Sequence, residues 1–162
     1  MKNHVLSIWV ENQAGVRSKI AALFGEMGAN IDSLAVGTTE RTDVSRMTIV
    51  ANGTEEMVDT IISHLNKITN LIKIKKITGG EAVLRELALI MVDAPEEKRT
   101  HIINIVEIFR AQIIDVAYST MTVEVSGDAD KVQALEDLLR PFGIREIVRT
   151  GTIAIDRGSR KP

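Results

Sequence analysis

The hydrophobic positions of this chain change period in a fixed order. Leu6, Ile8 and Val10 alternate with Val5, Ser7 and Trp9, a period of two that predicts a strand from Val5 to Val10. From Val16 to Met27 the spacing turns helical, with Val16, Ile20, Leu23, Phe24 and Met27 on one stripe and Gly28 as the stop. Strand patterning returns over Ile31 to Gly37 and Val44 to Ala51, and the polar loop Thr38 to Asp43 between them predicts a hairpin. Thr54 then stands as a helix cap before Glu55 and Glu56, and Met57, Ile61, Ile62, Leu65 and Ile68 form a buried stripe. A strand from about Leu71 to Ile77 completes β-α-β-β-α-β, the split βαβ order of a ferredoxin-like domain.

The second half repeats the order. Leu84 to Val92 reads as a strand, and Pro95 suits the first position of a helix with Glu96 and Glu97 beside it. Ile102, Ile103, Val106 and Phe109 are the predicted inner face of that helix. Strands follow near Ile113 to Ala117 and Met121 to Val125, then a helix from Asp128 to about Phe142, then short strand-like runs at Arg145 to Val148 and Thr152 to Ile155. Met47-Thr48-Ile49, Gly53 and Val58 align with Met121-Thr122-Val123, Gly127 and Val132, each pair separated by 74 positions. Ile61 with Leu135, Leu65 with Leu139 and Ile68 with Phe142 keep the same offset, so the chain is read as an internal duplication. The fold class is therefore α+β, two tandem ferredoxin-like βαββαβ domains. The boundaries are 1–78 for the first, 79–83 for a linker at Thr78-Gly79-Gly80, 84–158 for the second and 159–162 for a basic tail.

Composition narrows the chemistry. A chain of 162 residues with 44% hydrophobic and 26% charged residues and a net charge of −2 is an ordinary globular sequence with no polyanion-binding character. Cysteine is absent, which removes disulfides, thiolate nucleophiles and Cys-type zinc sites together. No apolar run reaches ~18 residues, and the first strand begins by Val5, so the expectation is no membrane span, no leader and a cytoplasmic location. His4, His64 and His101 are scattered, and no Gly-x-Gly-x-x-Gly or Gly-x-x-x-x-Gly-Lys-Ser/Thr phosphate loop occurs. Nucleic-acid binding on a ferredoxin-like sheet needs strand aromatics, and Val44 to Ala51 and Met121 to Val125 have none. Trp9 falls on the strand face opposite Leu6, Ile8 and Val10, and packing is its expected use.

One candidate remains, the loop Asn12-Gln13-Ala14-Gly15 between the first strand and the first helix. Free N–H groups near the positive end of the helix dipole suit a small carboxylate. The same residues also serve a plain strand-to-helix turn, with Gly15 supplying an unusual backbone angle and Asn12 closing the turn. Asn30, a second polar group, opens the strand after the helix, where it can face such a loop in a neighbouring subunit.

Five phrases, in order, resemble a known family. They are Val10-Glu11-Asn12-Gln13 with Gly15, Gly28-Ala29-Asn30-Ile31-Asp32-Ser33-Leu34, Ser45-Arg46-Met47-Thr48-Ile49, Ile108-Phe109-Arg110 with Gln112 to Val116, and Arg149-Thr150-Gly151. Together they resemble the ACT-type amino-acid-binding domain and, within it, the small regulatory subunits of acetohydroxyacid synthase (acetolactate synthase), over nearly the whole chain. The resemblance implies that the N-terminal domain is an ACT domain and that the chain is a non-catalytic subunit. Its partner would be a large catalytic subunit that condenses 2-oxo acids in branched-chain amino-acid synthesis and carries thiamine diphosphate, Mg²⁺ and FAD, with no cofactor on this chain. It further implies a homodimer through the ACT domain and feedback inhibition by valine bound between two copies. Carried over by position, Asn12, Gly15, Val16, Asn30 and Ile31 line that pocket. Backbone N–H groups at Gly15 and Val16 would take the carboxylate, the amide oxygen of Asn12 or Asn30 the ammonium, and an apolar wall the isopropyl group. Ala14 stands where the family often has Pro or Ser, Ala111 where it commonly has Gly, and Arg17 where an apolar residue is usual. Arg17 either adds to carboxylate binding or crowds the pocket. A free-standing ACT sensor serving no synthase is the alternative reading.

Overall fold

The structure, a computed structural model, describes residues 2–158. The predicted basic tail 159–162 lies outside the described residues. The chain divides into two compact units, one running to Val83 and rejoined by the segment from Thr152 onward, the other Leu84–Gly151.

In the first unit β1 (Lys2–Glu11), α1 (Val16–Glu26), β2 (Asn30–Thr38), β3 (Val44–Gly53), α2 (Glu55–Leu65) and β4 (Leu71–Ile77) follow one another. The strands form an antiparallel sheet in the order β2-β3-β1-β4, so β2 and β4 are its edges. Register fixes the core: Leu6 lies opposite Ile49 and Ile8 opposite Met47, and these four are fully buried beneath Ile20 and Phe24 of α1 and Val58, Ile61 and Leu65 of α2. Each such side chain contributes roughly 1.5–3 kcal/mol by leaving water. The Thr54 side chain caps α2 by accepting the Met57 N–H at 3.2 Å.

The second unit has the same plan: β5 (Ala82–Asp93), α3 (Arg99–Ile108), β6 (Gln112–Val116), β7 (Thr120–Gly127), α4 (Ala129–Leu139) and β8 (Ile144–Arg149), in the order β6-β7-β5-β8. Met121 opposite Val92 and Val123 opposite Ile90 are the counterparts of Met47 and Ile49. Val132, Leu135 and Leu139 are fully buried where the 74-residue offset places them. The fold is α+β, a ferredoxin-like βαββαβ plan used twice.

Several local expectations shift. The second-half helix begins at Arg99 because Glu96–Lys98 form a 3-10 turn, and Pro95 before it is extended with ψ 152. Ile103 is 36% exposed, whereas Ile102 and Val106 of that stripe are buried in the core and Phe109 packs against it partly buried. Pro141 has no N–H to continue a helix, so α4 stops at Leu139 and a 3-10 turn carries Arg140–Phe142. The last predicted strand, β9 (Ile153–Asp156), pairs with β5 and clusters with the first unit. Its anchors explain this: Thr152 N–H donates to Ser33 Oγ at 2.8 Å, Arg46 Nη2 donates to the Ala154 carbonyl at 2.6 Å, and Lys75 pairs with Asp156. Residues 82–83 of the predicted linker are already strand.

Candidate functional site

The loop after β1 is held by backbone bonds at both ends. Asn12 N–H donates to the Asp43 carbonyl at 2.8 Å and Gln13 N–H to the Glu11 carbonyl at 2.8 Å. Asn70 Nδ2 donates to Gln13 Oε1 at 3.3 Å. Gly15 is the N-cap of α1 in the left-handed region, φ 86 and ψ −16, a conformation that glycine adopts without Cβ strain. The first intrahelical bond is Lys19 N–H to the Gly15 carbonyl at 3.1 Å. The N–H groups of Val16, Arg17 and Ser18 precede that ladder, no side chain caps the helix, and its first turn has no acidic residue. A Cβ built on Gly15 meets nothing within 4 Å, so the mouth is open. Such an end attracts an anion through both its donors and its dipole.

Beside the mouth Arg17 is held in place. Its Nη2 donates to Asn12 Oδ1 at 3.1 Å and to Ser45 Oγ at 2.9 Å, and the Ser45 hydroxyl donates to Asn12 Oδ1 at 3.3 Å. Ser45 is fully buried on β3. The Asn12 amide oxygen is therefore already occupied by two donors of its own chain. Sequence patterning gave no sign that Ser45 joins this group, because it reads as one more position of a strand.

Asn30 and Ile31 start β2. Asn30 lies opposite Asn52 and Ile31 opposite Ala51, and the register shifts at Asp32 before Ser33 meets Val50. Asn30 is exposed; its Nδ2 donates to Asp32 Oδ1 at 2.9 Å, and its amide oxygen has no hydrogen-bond partner among the described residues. Glu11, just before the loop, lies opposite Val44 at the other end of β3. From Val44 to Asn52 the strand advances about 27 Å at ~3.4 Å per residue. The structure thus brings Asn12, Gly15 and Val16 together, and sets Asn30 and Ile31 at the far end of the same sheet.

Other candidates have structural roles. His4 is buried with Nε2 3.1 Å from the Gly53 carbonyl, and His64 Nδ1 lies 2.8 Å from the Thr60 carbonyl one turn back. Among the described residues there is no cluster of His, Asp and Glu arranged to hold a metal, and no helix is long and apolar enough to cross a membrane. Trp9 is half-buried, with the Arg46 guanidinium 4.3 Å and the Lys73 ammonium 5.0 Å from its ring centre. Burial pulls the Arg46 pKa below the usual arginine range.

The corresponding mouth in the second unit is closed. Pro95 precedes the 3-10 turn, Glu96 and Glu97 occupy it, and Arg99 donates from Nε to the Ala94 carbonyl at 2.9 Å. Its Nη2 donates to the Ala117 and Tyr118 carbonyls at 2.7 and 2.8 Å.

Comparison with known proteins agrees with this duplication. A model described as an AHAS small subunit-like ACT domain matches residues 6–73, and one described as the small subunit of acetolactate synthase matches residues 85–158. The chain is 49% identical to a probable acetolactate synthase small subunit of Archaeoglobus fulgidus, over 98% of this chain and 99% of that one. It is 46% identical to an acetolactate synthase small subunit of Mycobacterium bovis, over 98% and 95%. The crystal structure of an acetolactate synthase small subunit from Thermotoga maritima superposes with a TM-score of 0.89 at 35% identity, covering 98% of this chain and 99% of that chain.

Proposed function

Because the chain belongs to the acetolactate synthase small-subunit family, we propose that it is a regulatory subunit that raises the activity of a catalytic acetolactate synthase subunit and confers feedback inhibition by valine. The thiamine diphosphate, Mg²⁺ and FAD chemistry belongs to that partner. In this reading valine lies between two copies of the first unit, with Asn12, Gly15 and Val16 from one copy and Asn30 and Ile31 from the other.

The observation that carries the two-copy reading is the separation of those halves along β3. A ligand of a few ångströms cannot touch both ends of one sheet. β2 is an edge strand with Leu34 and Val36 about 40% exposed, and such an edge offers unpaired backbone groups to another strand. Two-fold antiparallel apposition of two β2 edges sets the Thr38 end of one, beside its helix mouth, against the Asn30 end of the other. Valine bound there tightens one arrangement of the pair, and a coupling of ~1–3 kcal/mol suffices to change activity several-fold or more.

The test is reconstitution with the catalytic subunit of the same source. The reading expects this chain to raise acetolactate formation and valine to lower it. Activity indifferent to the chain, with valine still bound by it, identifies a free-standing amino-acid sensor instead.

A further inference from the structure

We propose that Arg17 and Asp32 are the specificity pair of the effector site. Arg17 of one copy takes the ligand carboxylate and Asp32 of a second copy takes its ammonium, so that the site accepts only an α-amino acid with both charges intact. This rests on the two-copy reading above, and it assigns the charges to residues outside the Asn12, Gly15, Val16, Asn30 and Ile31 set.

Three observations converge. Among the described residues neither Arg17 nor Asp32, both exposed, has an ion-pair partner. Arg17 is nonetheless fixed, because two acceptors, one of them on the fully buried Ser45, hold the same Nη2. Its Nε and Nη1 have no partner among the described residues and remain available beside the uncapped N–H groups of Val16 and Arg17. Asp32 is likewise oriented, by the Asn30 amide and by the register shift that takes it out of the pairing with β3.

The charges also fit the ligand. Arg17 holds the Asn12 amide oxygen, so a cation approaching Asn12 meets a guanidinium; the ammonium must therefore sit on the other half. There Asp32 offers a carboxylate and Asn30 a free amide oxygen. Arg17 is tied to Ser45 at one end of β3, and Asp32 sits at the bulge facing Ala51 and Val50 near the other end. About 17 Å of strand at ~3.4 Å per residue separates them, too far for one amino acid to span within one chain.

Calorimetric titration of the full chain with L-valine, L-valinamide and 3-methyl-2-oxobutanoate tests this. The unchanged chain should bind valine and discriminate against both analogues, one lacking the carboxylate and the other the ammonium. Arg17→Gln, which keeps a hydrogen-bonding side chain, should weaken valine by about tenfold to a hundredfold, the range for losing a hydrogen bond to a charged group, and should erase the preference for valine over valinamide. Asp32→Asn should erase the preference for valine over the oxo acid, with the first preference kept. Variants that bind valine with unaltered preferences overturn the pair and leave the valine site standing. An unchanged chain that binds valine and valinamide equally also overturns it, and one that binds no amino acid overturns both.

Discussion

The two units share a sheet order and a core but differ at the mouth of their first helix. In the first unit Gly15 caps α1 with open space beside it, no acid stands in the first turn, and Arg17 lies alongside. In the second, two glutamates fill the equivalent turn and Arg99 spends its donors on three carbonyls of its own loops. A duplicated fold can thus keep its packing while the mouth of its first helix changes from open to filled. The core tolerates this because the mouth lies beyond Val10 and Val92, the last buried positions of the two leading strands.

The largest expected effect follows from that difference. Gly15→Asp sets a carboxylate against the ligand's own and should abolish valine inhibition of the reconstituted synthase, with the chain still binding its catalytic partner. Glu96→Gln with Glu97→Gln should leave inhibition unchanged. Loss of inhibition in the second variant would erase the functional distinction between the units.

The cores should respond alike. Leu6→Ala and Ile90→Ala each remove a fully buried side chain at the same place in the duplicated sheet, and each should cost about 2–5 kcal/mol in urea unfolding. Very unequal costs would show that the shared pattern hides different packing.

Smaller effects sharpen the contrast at the helix ends. Gly28 and Arg110 both follow the first helix of their unit, and Arg110 is the one non-glycine residue with positive φ among the described residues, at 53 against 75 for Gly28. A side chain in that region costs about 1–2 kcal/mol. Gly28→Arg should therefore lower the melting temperature of the chain, and Arg110→Gly should raise it slightly, since the added unfolded-state freedom of glycine offsets part of the relief.

The smallest effect concerns acid. The Lys76 hydrogen bond and charge hold the Glu55 carboxyl below its ordinary value of 4.5, and Glu55 and Asp59 raise Lys76 in turn. A depressed carboxyl pKa stabilises the fold above the ordinary value and loses that contribution as pH falls through the folded one. Lys76→Met should flatten the stability decline below about pH 4.5, by less in high salt because both groups face water.

Much of this was legible in the sequence because it is local. Period two and period 3.6 gave both βαββαβ orders, and the 74-residue offset identified the buried helix positions Val132, Leu135 and Leu139. Thr54 announced its cap through the acids that follow it. What stayed hidden is long-range. Nothing near Thr152 encodes its bond to Ser33 or the hold of Arg46 on Ala154. Arg17 was visible as a departure from its family, but its tie to Asn12 required Ser45, 28 positions away, to be brought beside it by the β1–β3 register. The opposite placement of Asn12 and Asn30 is also a property of that register and of no single segment.

That placement is most directly tested by mixing two defective chains. Gly15→Asp damages the loop half of the proposed site and Asn30→Ala the strand half, so neither variant alone should bind valine. If the site joins two copies, refolding the variants together gives mixed pairs in which one site has both defects and the other has none. Calorimetry should then show valine binding restored, at no more than one site per mixed pair. Mixed pairs that form and bind no valine would place both halves within one chain and contradict the account.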